Sequence, residues 1–261
     1  MAECGALVAY IKFLIGDKLA KYAPNHMIIK RIDYEIDRRI TKPFLSRDFG
    51  WEKLTNNWNI WINTNILQTA LLAIDNTTIR NEIIVKTIRS ADIFLNSYPD
   101  DGGCNEGPIY WDLAGGRLIQ FIDLLSTVSN NTLSWASFGL IDKIGQYIHK
   151  VHIDKNYFVN YGDAQAVMLP DPFRVFKYGQ LFNNAEMLEF GAYLLDYKDK
   201  YGDEDLVDPG DANGYVQNFA NELVMRLKIG NMTPKAPLLK ESWMPNLQVN
   251  INCAFLTKII I

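Results

Sequence analysis

Histidine and cysteine are scarce in this chain, with three of each among 261 residues. Cys4, Cys104 and Cys253 lie far apart and form no CxxC pair, so neither zinc-ribbon spacing nor a redox motif is present. Three thiols form at most one disulfide, and their number does not fix a compartment. His149 and His152 stand three apart on an expected helix, but no Cys or acidic pair of ligand spacing accompanies them. They read, with His26, as structural residues, and neither a metal site nor a cofactor is expected.

An excess of positive charge is missing too. The formal net charge of -4 and the pI of about 5.4 leave no basic footprint of the kind that grips nucleic acid by its phosphates. The densest basic stretch, Lys30, Arg31, Arg38 and Arg39, is interrupted by Asp33, Glu35 and Asp37, and reads as an ion-paired helix face. No apolar run reaches the roughly 20 residues of a membrane span. Gly5 to Ile15 is apolar, but Glu3 precedes it, Lys12 interrupts it and no basic n-region is present, so it is not read as a secretory leader. Strand signals are few. Only Phe158 to Tyr161 and Ala166 to Leu169, on either side of Gly162, are expected to pair.

Helical periodicity fills most of the rest. Apolar residues make up 48% and charged residues 21%, enough for a sizeable core. Leu7, Tyr10, Ile11, Leu14 and Ile15 keep a 3.6-residue period, as do Ile28, Ile32, Ile36 and Ile40, with a turn at Ala23 to Asn25 between them. Further helices are expected from Trp58 to Ile74, from Thr77 to Leu95, from Pro108 to Leu125 and from Leu133 to Val151. Others follow near Asp171 to Leu181, Glu186 to Tyr197 and Tyr215 to Leu227, and the chain after Ile229 reads as irregular. Proline favours the first helical turn, which places a helix start at Pro108 after the Pro- and Gly-rich run from Tyr98. One helix pair recurs about every 50 residues, the spacing of stacked hairpins. An (α/α) toroid needs roughly five to seven such pairs and this chain offers about four or five. We therefore expect an all-α fold, an incomplete (α/α) toroid of antiparallel helical hairpins.

Two segments carry side chains that a helical core does not require. Residues 56–65 hold five asparagines, which are poor helix-interior residues. Asn56 or Asn57 is a natural N-cap, while Asn59 and Asn63, four apart, share a face with Asn56. Carboxamides at a helix N-terminus suit a carboxylate ligand. Trp58 and Trp61 offer flat apolar surfaces for sugar rings, or else fill the core. The second segment runs from Asp100 to Trp111. With Gly107 as cap and Pro108 first in the helix, Tyr110 falls in the first turn, where a helix dipole favours phenolate and so proton transfer. The plainer alternative is a buried Tyr110–Trp111 pair anchoring the loop.

Read in order, NNWNIWINTNILQTALLA and YPDDGGCNEGPIYWDLAGGRLIQFIDLL resemble the heparinase II/III-like polysaccharide lyases, as do EIDRRI before them and FVNYGDAQA and ESWMPNLQV after. The resemblance covers the chain from Ala2 to Val249. It implies a helical toroid over residues 1–249, followed in the family by a C-terminal β-sandwich that is missing here. Residues 250–261 are an apolar tail that does not match, and the start of the chain looks internal.

The resemblance further implies β-elimination on a uronic-acid-containing glycan, heparin/heparan sulfate-like or alginate-like, with an acidic polysaccharide as substrate and neither membrane nor nucleic acid as partner. Asn57, or its neighbour Asn56, matches the residue that neutralises the uronate carboxylate, and Tyr110 matches the catalytic tyrosine. Asn59, Asn63, Trp58, Trp61, Glu106 and Trp111 are expected around the substrate, Glu106 orienting Tyr110 or holding sugar hydroxyls. Trp58 departs from the histidine of some branches. A full-length member is expected in the periplasm or outside the cell. The alternatives are a toroidal glycoside hydrolase using carboxylates such as Asp100 and Asp101, and an inactive glycan-binding fragment.

Overall fold

A computed structural model describes residues 1–133, 135, 137–201 and 225–229. Most of the helix expected over Tyr215 to Leu227 lies outside these residues, as do ESWMPNLQV and the tail, while 225–229 are helical. The described chain is predominantly α-helical with two short strands. It divides into two compact units, 1–97 with 117–133, and 98–116 with the described residues beyond 133.

In the first unit α1 (Ala2–Tyr22) and α2 (Met27–Ile36) are joined through the expected turn, where Asn25 and His26 adopt left-handed φ values of 53° and 57°. A π turn, Asp37–Thr41, leads into α3 (Lys42–Ser46). Of the basic run, Arg31 in α2 and Arg38 and Arg39 in the π turn are ion-paired as expected. Glu35 receives Arg31 at 2.8 Å, Arg38 at 2.8 Å and Arg39 at 2.6 Å, and hydrogen bonds from Arg39 and Arg38 hold its carboxyl down to about 2.

Helix α4 (Asn57–Ala73) and helix α5 (Thr77–Asn96) start where polar caps allow. Asn56 Oδ1 accepts from the Trp58 N–H at 3.3 Å, and Asn76 Oδ1 from the Ile79 N–H at 3.1 Å. Both helices match expectation to within one residue. The short link between them and their mutual packing make an antiparallel hairpin. Helix α1 also packs on α4, presenting the small buried residues Gly5, Ala6 and Ala9. Packed by α1 and α5, α4 is buried on most of its circumference, and its polar residues go into the core with the apolar ones.

In the second unit the helix expected from Pro108 to Leu125 is broken. A single turn, α6 (Pro108–Trp111), is separated from α7 (Gly115–Val128) by Asp112 to Ala114, where i to i−3 bonds such as Leu113 N–H to Tyr110 O tighten the backbone. The cause is tertiary: the Asp112 carboxylate accepts from the Asp171 N–H at 3.1 Å and lies 3.4 Å from the Arg174 guanidinium. Helix α7 begins in the second unit and continues in the first from Arg117.

Helix α8 spans Gly139–Lys150, starting six residues later than expected. Left-handed Asn130 and Asn131 (φ 51° and 57°) turn the chain after α7 and delay the next helix. The expected strand pairing is present as Phe158 N–H to Ala166 O at 2.9 Å with a Tyr157–Val167 bridge. It is joined by an unforeseen antiparallel hairpin of β1 (His152–Asp154) with β2 (Tyr157–Phe158), turned by left-handed Lys155. His152 therefore lies on a strand and not on one helix with His149. Helix α9 (Pro172–Phe182), capped by Asp171 Oδ1 on the Phe173 N–H, packs on α10 (Ala185–Tyr201) as a second hairpin, with Phe173, Phe176, Leu195 and Met225 in its core.

Candidate active site

The asparagine segment falls into two parts. Asn56 is exposed and Asn57, the first residue of α4, is 4% exposed. Asn59 and Asn63 are completely buried, and their amide nitrogens are committed to the chain. Asn59 Nδ2 lies at 3.1, 2.9 and 3.0 Å from the carbonyls of Glu52, Leu54 and Ser90. Asn63 Nδ2 reaches Asn59 Oδ1 at 2.9 Å and Ser90 Oγ at 2.8 Å, and the Ser90 hydroxyl donates to Glu52 O at 2.8 Å. This corrects the expectation that Asn59 and Asn63 share a ligand-facing surface with Asn56. They hold α4, α5 and the Gly50–Lys53 turn together by satisfying carbonyls that would otherwise be buried unpaired.

Trp58 and Trp61 are brought together, their rings 5.9 Å apart and inclined by 51°. Trp58 is 54% exposed. Both line a cleft of about 450 Å³ in the first unit, which also includes Trp51, Arg39, Arg47 and Asn65. The last four residues were not foreseen. Arg39 reads in sequence only as an ion-paired helix residue, and the density of aromatics at Phe44, Phe49 and Trp51 was the one available signal.

Tyr110, Glu106 and Trp111 belong to the second unit. Gly107, at φ 97°, caps α6 as expected, and Tyr110 is the third residue of that turn and half-buried. Helix α6 is a single turn of four residues. Trp111 is fully buried, donates its indole N–H to Ile144 O at 2.7 Å and packs 5.9 Å from Tyr178. It anchors the core, and its expected place at the substrate is corrected. Glu106 is half-buried, and burial first, then the negative charge of Asp163, raises its pKa from the ordinary carboxylate value.

Two glycines fix this loop. A Cβ on Gly107 would collide with Tyr161 O, and one on Gly162 (φ 65°) would stand 2.7 Å from Glu106 O. Only glycine lets the Glu106–Gly107 and Tyr161–Gly162 backbones approach this closely. The Asp163 N–H donates to Glu106 O at 3.1 Å, and the Tyr161 hydroxyl donates to Cys104 O. Cys104 is buried, which pushes its thiol up to about 12.

Of the alternative carboxylates, Asp101 Oδ1 accepts from the Gly103 N–H at 2.7 Å, forming a local turn. His152 Nε2 lies 2.8 Å from Lys155 O, so that nitrogen carries the proton, and its ring packs on Phe158 and Phe190. Among the described residues no group of three or more His, Cys, Asp or Glu is arranged to hold a metal ion, and no helix is long and apolar enough to cross a membrane.

No protein-family model matches the chain, and no curated protein matches it.

Proposed function

We propose that this chain is the helical portion of a polysaccharide lyase that cleaves uronic-acid-containing glycans by β-elimination. Tyr110 transfers the proton and Asn57 neutralises the uronate carboxylate. In this proposal the α4–α5 and α9–α10 hairpins are parts of an incomplete (α/α) toroid. The observation that carries it is the ordered run of motifs resembling heparinase II/III-like lyases, in which NNW stands at the start of α4 and EGPIYW at the start of α6.

The chemistry follows from the acidity of the substrate. The proton removed is α to a carboxylate and only weakly acidic. Hydrogen bonds that strengthen as the enediolate develops lower the barrier more than bonds of equal strength in both states. A phenol positioned at the reacting atoms takes that proton or gives one to the leaving O4, as the C–O bond breaks and a carbon–carbon double bond forms. Asn57 is the first residue of α4, where the free N–H groups and the helix dipole favour a carboxylate. Glu106, half-buried on the same loop as Tyr110, is placed to hold a sugar hydroxyl.

The test is incubation of the chain with a panel of uronic-acid glycans, followed by ultraviolet absorbance. Elimination leaves an unsaturated uronate that absorbs. New reducing ends without absorbance would mean hydrolysis instead, and binding without cleavage would mean a glycan-binding fragment.

A further inference from the structure

We infer that the cleft beside Trp58 is a docking subsite for a sugar ring carrying a carboxylate or sulfate group, read by Arg47 and Arg39. The choice of a sugar as occupant rests on the lyase proposal, while the anion selectivity rests on the cleft itself. At about 450 Å³ the cleft is of small-ligand size. Its aromatic wall is packed: Trp51 stacks between Phe44 (6.1 Å, 10°) and Phe49 (6.1 Å, 22°). Lys86 lies 4.7 Å from the Phe44 ring centre and bonds the carbonyls of Phe44 and Arg47 at 2.6 and 2.7 Å, fixing that loop. Trp58 and Trp61 add two inclined indole planes, and Trp58 leaves half its surface in water. Such planes cover the C–H face of a ring with little ordering of side chains on binding.

The charge around the cleft is positive within an acidic chain. Arg47 is exposed, and its guanidinium has no ion-pair partner among the described residues. Arg39 shares Glu35 with Arg31 and Arg38, so one carboxylate faces three guanidinium groups. The carboxylate lining the cleft, Glu3, faces the buried Arg117 at 3.9 Å. The Trp61 indole N–H is buried without an acceptor among the described residues, and Trp61 lines the cleft. Guanidinium forks suit carboxylate and sulfate alike. Paired flat indoles suit a ring better than the branched aliphatic anchors of a peptide.

The experiment is calorimetric titration of the full chain with four probes: a heparin-derived hexasaccharide, hexagalacturonate, uncharged cellohexaose and a hexaglutamate peptide. Heparin and galacturonate oligomers distinguish a sulfate from a carboxylate reader. We expect one or both to bind, more weakly at high salt, with Arg47→Ala and Trp58→Ala each reducing affinity by about tenfold or more. Both side chains are exposed, and circular dichroism confirms that the variants fold. Equal binding of cellohexaose, tighter binding of the peptide, no binding of either anionic sugar, or undiminished affinity in both variants overturns the inference. Elimination activity in a chain that does not bind at this cleft would overturn the subsite alone. Anionic-sugar binding lost in both variants, without elimination of any glycan, would overturn the lyase proposal alone.

Discussion

Asn63 donates through its side chain to the carboxamide oxygen of Asn59, one helical turn away, at 2.9 Å, and neither residue reaches solvent. The pair is a buried polar clasp, joined to Ser90 of α5 and to the carbonyls of Glu52 and Leu54. Its contribution is to stability. Asn59→Ala should therefore lower unfolding free energy by about 1–3 kcal/mol, because buried carbonyls lose their donor. Urea denaturation measures this, and an unchanged midpoint at constant slope would show that water replaces the amide.

Asn56 and Asn57 should separate cleanly. Asn56→Ala removes a cap and should cost about 1 kcal/mol of stability, while leaving the turnover of folded protein near its starting value. Asn57→Ala should raise KM and lower kcat together, as expected for a group touching the carboxylate in ground and transition states. If the kinetic loss followed Asn56 instead, the neutralising amide would be reassigned to it.

Tyr110→Phe deletes one hydroxyl and keeps the ring. In a form that turns over glycan, kcat should fall by about 10²–10⁴-fold with affinity nearly unchanged. Retention of most of kcat would reduce Tyr110 to a packing residue. Ultraviolet product assays and a binding titration on the same preparation give both numbers.

His152 makes stability depend on pH. Burial lowers its pKa in the folded state, with the bond to Lys155 O and the charge of Asp154 opposing. The unfolded chain then binds the proton more readily, so stability rises with pH. The contribution is complete above the ordinary histidine value of about 6.5 and is lost as pH falls from there toward the lower folded value. Melting temperatures between about pH 7.5 and 5.5, above the carboxylate range, should fall in the parent and fall less in His152→Gln. Parallel curves would show that His152 contributes nothing.

Gly107→Ala should disturb the loop that presents Glu106 and Tyr110. The added methyl would meet Tyr161 O, and φ 97° is unfavourable for alanine. We expect lower stability and faster amide exchange in residues 104–111. Parent-like exchange would mean that the two backbones separate without penalty.

The helices were legible in sequence where local signals agreed with the tertiary structure. Asn56 and Asn76 cap α4 and α5 within the chain's own next turn, so those starts could be read directly. The break after Trp111 could not, because Asp112 is drawn away by Asp171 and Arg174, some sixty residues on. The candidate site divides in the same way. Gly107 and Pro108 announce a helix start, and Tyr110 follows. Burial is what distinguishes Asn59 from Asn56, and it depends on the Ser90 carbonyl of another helix. Carboxamides look the same in sequence whether they face a ligand or a neighbouring backbone. The cleft at Trp58 was hidden because Arg39, Arg47 and Trp51 meet Trp61 only after folding.

The interior position of Cys104 gives the second unit a chemical clock. A buried thiol whose pKa is pushed up to about 12 reacts with alkylating agents chiefly while its surroundings are open. Cys4 is exposed and labels from the folded state. In one labelling time course, located by peptide mapping, Cys4 reports the reagent's intrinsic speed, and the lag at Cys104 reports how often the loop beneath Glu106 and Gly107 comes apart.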